Sequence, residues 1–186
     1  YVSETTSPHG MRERPPRRAH LVAGYPDIDR TVDIACGLAE GGASMLELQF
    51  PSSDPAADGP SIQKACSASL TAGFRLDEGF ALALRIRRRC AIPLYIMSYG
   101  SQIYARGIAR FVSDVRASGA EGIIAPDLSA GSDEGLYAAC REEGLYCIPV
   151  VPVTTARSRV ETFFFNDTAT TEIYTALRKG ITGAAT

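Results

Sequence analysis

From His20 onward, short apolar runs alternate with amphipathic stretches. Leu21 to Ala23 is the first apolar run, closed by Gly24-Tyr25-Pro26-Asp27. Val32, Ile34, Ala35, Leu38 and Ala39 then recur at helical spacing. A helix is expected over residues 30–40, capped by Asp27 or Asp29 and stopped by Gly41-Gly42. Met45 to Phe50 predicts a second strand, and residues 62–72 and 77–89 predict two further helices. Residues 93–98 predict a third strand. Ile108, Phe111, Val112 and Val115 predict one helix over 103–118. Residues 122–126, 134–143 and 146–151 then read as strand, helix and strand, and 173–177 as a weak sixth strand. Strand, loop and helix in repetition argue for a parallel sheet covered by helices. The strands are almost continuously apolar, as parallel strands buried on both faces should be. Periodicity alone leaves two architectures open, a doubly wound sheet and a TIM (β/α)8 barrel.

Composition narrows the class without naming it. The 186 residues are 45% hydrophobic and 22% charged, enough apolar material for one sizeable core. A net charge of −2 gives no reason to expect nucleic acid as a partner. No apolar run approaches a membrane span, and the first residues lack the apolar stretch of a secretory signal. The five cysteines are scattered, with no CxxC spacing, so no metal site is expected. They read as reduced core thiols of a cytoplasmic protein. Residues 1–18 hold Pro8, Pro15, Pro16 and four arginines. They read as a disordered or atypical arm, with the α/β domain running from 19 to 186.

The candidate chemistry lies in one stretch. Glu47 interrupts an apolar strand, and Asp58 follows in a turn rich in Pro, Asp and Gly. A carboxylate in an apolar strand costs several kcal/mol unless it is paired, hydrogen-bonded or protonated, roughly the range for a buried polar group. Such a cost is often accepted where an acid or base is needed. Two carboxylates in different surroundings can divide labour. The buried one shuttles a proton, and the wetter one accepts a hydrogen bond. The structural alternatives are an arginine partner for Glu47 and a turn-forming role for Asp58.

Leu46-Glu47-Leu48, Pro51, Ser53-Asp54-Pro55 and Ala57-Asp58-Gly59-Pro60, closed by Ile62-Gln63, resemble the signature of the tryptophan synthase alpha subunit. The resemblance extends over about residues 20–159 and again over 176–183. It implies the TIM barrel, of which this chain would hold about six βα units. A complete barrel has about 250 residues. It implies a lyase that cleaves indole-3-glycerol phosphate to indole and glyceraldehyde 3-phosphate. Glu47 would serve as proton shuttle and Asp58 as acceptor for the indole N–H. Leu46, Phe50, Met97 and Tyr99 would wall the ring.

The same resemblance covers Met97-Ser98-Tyr99, with Ser101 where the family has asparagine, and Ala125-Pro126-Asp127-Leu128. The Asp127 loop would meet a beta subunit; its structural alternative is a cap for the helix after it. Pro152 and Thr154-Thr155 match a loop near the pocket. Gly180-Ile181-Thr182-Gly183 resembles the family's mobile loop, which brings Thr182 and Gly183 to the substrate. Tyr174 falls at the family's pocket tyrosine. It lies in the run 163–175, a Phe cluster followed by polar β-branched residues that makes a poor helix. That run resembles translated adapter sequence, the alternative being a divergent insertion. No cofactor is implied for this chain. Pyridoxal phosphate would belong to the beta subunit of an alpha2beta2 complex. Two other readings remain open from the residues. One is a different phosphate-binding barrel lyase or isomerase, and the other a truncated chain that binds a beta-type partner without catalysis.

Overall fold

The computed structural model describes residues 17–128 and 132–150. The expectations for residues 1–16, for 152–155, for the strand at 173–177, for the run 163–175 and for Tyr174, Thr182 and Gly183 lie outside the described residues.

Five strands and six helices are described: β1 (Arg18–Val22), α1 (Ile28–Glu40), β2 (Met45–Gln49), α2 (Pro60–Thr71), α3 (Leu76–Arg89), β3 (Leu94–Met97), α4 (Gly100–Arg106), α5 (Ile108–Ala117), β4 (Gly122–Ala125), α6 (Leu136–Glu142) and β5 (Tyr146–Pro149). All strands pair in parallel, in the order β1-β2-β3-β4-β5. A doubly wound sheet reverses its strand order at a switch point. No reversal occurs across these five strands, so the barrel alternative is the one realised, as a sector of a (β/α)8 barrel.

Alternation along the strands separates two apolar layers. Leu21, Leu46, Leu48, Phe50, Leu94, Ile96 and Ile123 face outward into the main core, against Val32 and Ala35 of α1, Leu82 and Ile86 of α3, and Phe111 and Val112 of α5. Tyr95, Met97, Tyr99 and Ile124 form a second layer on the inner face, joined by Met45 and Ile148. Val22 packs instead with Ala65 and Cys66 of α2. Where the sheet is tightest it uses glycine: a Cβ on Gly122 would lie 2.4 Å from the Tyr146 carbonyl oxygen.

The element ends differ from the sequence reading in informative ways. Asp27, not Asp29, caps α1, accepting a hydrogen bond from the Arg30 N–H at 2.8 Å. Asp29 pairs with Arg85 instead. The helix expected over 103–118 is two helices, because Gly107 sits at φ 86° between them. The helix expected from residue 134 begins at Leu136, since Glu134 and Gly135 both have positive φ. Strand β1 starts at Arg18, so the end of the expected arm belongs to the sheet.

All five cysteines are free thiols. Burial pushes the Cys66 thiol up and the Cys90 thiol up to about 11, which keeps both protonated and unreactive near neutral pH. Among the described residues, no helix is long and apolar enough to cross a membrane. Nor do three or more His, Cys, Asp or Glu side chains among them group to hold a metal.

Candidate active site

Glu47 lies in the middle of β2, with His20 and Tyr95 as its neighbours in register on β1 and β3. Leu46 and Leu48 point into the outer core, so Glu47 points to the inner face. It is 6% exposed. Arg18 Nη1 stands 3.3 Å from Glu47 Oε2, which realises the arginine pairing foreseen as the structural alternative. The arginine side chain is itself 62% exposed. The contact is an ion pair by distance only. Glu47 Oε2 is buried and accepts no hydrogen bond among the described residues. An exposed arginine contributes little against the desolvation of a buried carboxylate. Glu47 is therefore costly where it stands.

Asp58 sits in the loop between β2 and α2. Its N–H donates to the Pro55 carbonyl, and its own carbonyl accepts from Gln63 Nε2 at 2.8 Å. Pro60 then opens α2 at a position that needs no amide hydrogen. These bonds hold the half-buried Asp58 side chain over the inner face. There Gln49 Nε2 donates to Asp58 Oδ2 at 2.6 Å, and the Tyr99 hydroxyl donates to the same oxygen at 2.8 Å.

Tyr99 follows β3 and is 2% exposed. Its hydroxyl also accepts from the Ala57 N–H at 3.1 Å, so one side chain ties the loop and orients its carboxylate. Burial, followed by the hydrogen bond to Asp58, pushes the Tyr99 pKa well up. The phenol stays protonated and stays a donor.

The structure thus joins Asp58 and Tyr99 directly, and joins both to β2 through Gln49, two residues beyond Glu47 on the same face. Phe50 requires a correction. Strand alternation turns it to the opposite face, where it is fully buried and packs edge-on against Phe80 at 5.1 Å and Phe111 at 6.5 Å. It is a core residue, as is Leu46, and neither walls the face that carries Glu47. Met97 and Tyr99 do lie there, with Ile124 beside them.

Gln49 and His20, which the sequence reading leaves outside the site, join this network through hydrogen bonds. The detectable signal was a second polar side chain two positions from Glu47 in an apolar strand. Asp127 differs from its structural alternative, a cap for the helix after it. Its carboxylate accepts from the Gly100 N–H at 2.9 and 3.0 Å, so it caps α4 before it rather than a helix after it. Asp127→Ala should lower stability by about 1 kcal/mol, the usual cost of losing a cap. Urea unfolding of the two proteins measures it, and an unchanged midpoint would show that the cap contributes nothing.

The loops after three strands are cross-tied. Gln102 Nε2 donates to the Pro51 carbonyl at 2.8 Å, Tyr99 reaches the Asp58 loop, and Asp127 reaches Gly100. All three ties lie at the C-terminal ends of the strands, the end that carries active sites in barrels of this kind.

The profile of the family described as tryptophan synthase alpha chain matches residues 17–186. The alpha chain of Helicobacter hepaticus is 36% identical over 180 residues, 93% of this chain and 66% of that one. That of Roseiflexus castenholzii is 38% identical over 166 residues, 89% of this chain and 63% of that one. The chain thus spans just under two thirds of the length of these relatives. A mutant tryptophan synthase alpha-subunit from Pyrococcus furiosus superposes with a TM-score of 0.77 at 31% identity, covering 85% of this chain and 64% of the other. Tryptophan synthase from M. tuberculosis superposes with a TM-score of 0.76 at 30% identity, covering 80% and 59%. With the five-strand sector, the inner-face carboxylate and the Asp58 turn in the places the motif foresaw, the chain belongs to the tryptophan synthase alpha chain family.

Proposed function

We propose that the domain cleaves indole-3-glycerol phosphate to indole and glyceraldehyde 3-phosphate, the alpha-chain step of tryptophan biosynthesis. The observation that carries this reading is Glu47. It is a buried carboxylate on the inner face with one oxygen free of hydrogen bonds among the described residues, two residues before the strand position whose amide holds Asp58. The reaction adds a proton to C3 of the indole, which makes N1 cationic. The C3 bond to the glycerol carbon then breaks, its electron pair returns to the ring, and the hydroxyl on that carbon gives up its proton as the aldehyde forms. Glu47 serves both proton transfers. Asp58 accepts the ring N–H and stabilises the positive charge that develops there. Met97, Tyr99 and Ile124 supply apolar walls on the same face.

These steps call for no metal or organic cofactor in this chain. Thr182 and Gly183 would contact the phosphate end of the substrate, and Tyr174 the pocket. The indole released would pass to a beta subunit carrying pyridoxal phosphate, in an alpha2beta2 complex. Free, protonated thiols fit a cytoplasmic setting.

The test is indole release from indole-3-glycerol phosphate by the wild-type chain and by Asp58→Asn. Asparagine keeps an acceptor but loses the charge, so kcat/KM should fall by about 10- to 100-fold, up to the whole worth of a hydrogen bond to a charged group. A wild type that unfolds cooperatively yet releases no indole would overturn the proposal.

A further inference from the structure

We propose that Gln49 is a positioning residue for Asp58, held in its working orientation by His20. This rests on the reading of Asp58 as acceptor of the indole N–H. Gln49 is fully buried on the face that carries Glu47. Its amide can face only one way. An ionised carboxylate only accepts hydrogen bonds, so the group 2.6 Å from Asp58 Oδ2 is the amide nitrogen. The amide oxygen is then the atom 2.8 Å from His20 Nε2, and His20 must carry its hydrogen on Nε2. The same amide nitrogen lies 3.6 Å from Cys66 Sγ. Every polar atom of Gln49 has a partner, so rotating the amide breaks bonds on both sides.

The consequence falls on one oxygen of Asp58. Gln49 and Tyr99 both donate to Oδ2, and none of the described hydrogen bonds reaches Oδ1. Two donors on Oδ2 fix the carboxylate plane and leave Oδ1 to receive the substrate N–H. A glutamine that merely filled space would tolerate an apolar side chain of the same length. A glutamine that positions Asp58 would not.

Two measurements decide. The first is a double-mutant cycle on indole release with wild type, Gln49→Met, Asp58→Asn and the double variant. Gln49→Met should lower kcat/KM by about tenfold, the scale of one hydrogen bond to a charged group, with the loss mainly in kcat. In the Asp58→Asn background it should cost little more. An unchanged kcat/KM in Gln49→Met, or two losses that simply multiply, would overturn the inference. If Asp58→Asn matches wild type, it is the reading of Asp58 that falls. The second measurement needs no turnover. Nitrogen-15 NMR of the His20 ring should show the Nε2–H tautomer in the wild type, and the Nε2–H signal should lose its hydrogen-bonded shift in Gln49→Met. A wild-type ring protonated on Nδ1 alone would overturn the wiring whatever the kinetics show.

Discussion

Glu47→Gln should lower kcat for indole release by roughly 10³-fold or more, within the range general acid–base groups contribute. Glutamine matches the shape and can still hydrogen-bond, but it cannot pass a proton to C3 or take one from the glycerol hydroxyl. The loss should therefore appear in kcat and leave KM close to wild type. The same substitution should leave the fold as stable as before, or more so. The wild-type carboxylate is 6% exposed, one oxygen lacks a hydrogen bond among the described residues, and its arginine partner stands mostly in water. Removing a charge so placed removes a desolvation cost that its surroundings do not offset. Thermal or urea unfolding reads this beside the assay. A variant that keeps its activity, or that loses activity and stability together, would make Glu47 a structural residue.

Phe50→Ala should cost about 3–5 kcal/mol, the usual toll of emptying a large aromatic site in a core. Phe50 is fully buried, stacks edge-on with Phe80 and Phe111, and meets Phe74 at 6.2 Å. Gly79 of α3 is shaped around it: a Cβ there would lie 2.8 Å from the Phe50 ring. Helix and ring are fitted so closely that the site cannot collapse to refill the void. Chemical unfolding measures the effect. A loss below about 1 kcal/mol would show that the cluster repacks, contrary to its geometry. The two predictions separate the two faces of the sheet at β2 and the residue just past its end, since Glu47→Gln removes chemistry and Phe50→Ala removes stability.

What could be read from the chain follows from the range of the forces involved. The strands of the sector, their parallel pairing and the Asp58 turn were legible, because apolar runs and Pro/Gly turns act locally. Glu47 was legible because a charge in an apolar strand is conspicuous by itself. Phe50 was misassigned because nearness in the motif was given more weight than alternation, which puts neighbouring residues on opposite faces. Strand β1 was read too short because Arg18 and His20 are polar, although both point inward to partners on β2. The role of Asp127 was out of reach, since its partner Gly100 lies 27 residues back and meets it only once β3 and β4 are paired. The break at Gly107 was masked by helical spacing that continues on both sides of it.

The order β1-β2-β3-β4-β5 also bears on how the molecule assembles. Each strand pairs with the one made just before it, so every closure spans only the one or two helices between neighbouring strands. That is the smallest loop-closure cost a parallel sheet permits. A chain emerging from the ribosome can seat each of the four described pairings as its second strand appears. The carboxylate on β2 and the turn that follows it are thus in place early, and the walls of the site gather around them in the order of synthesis.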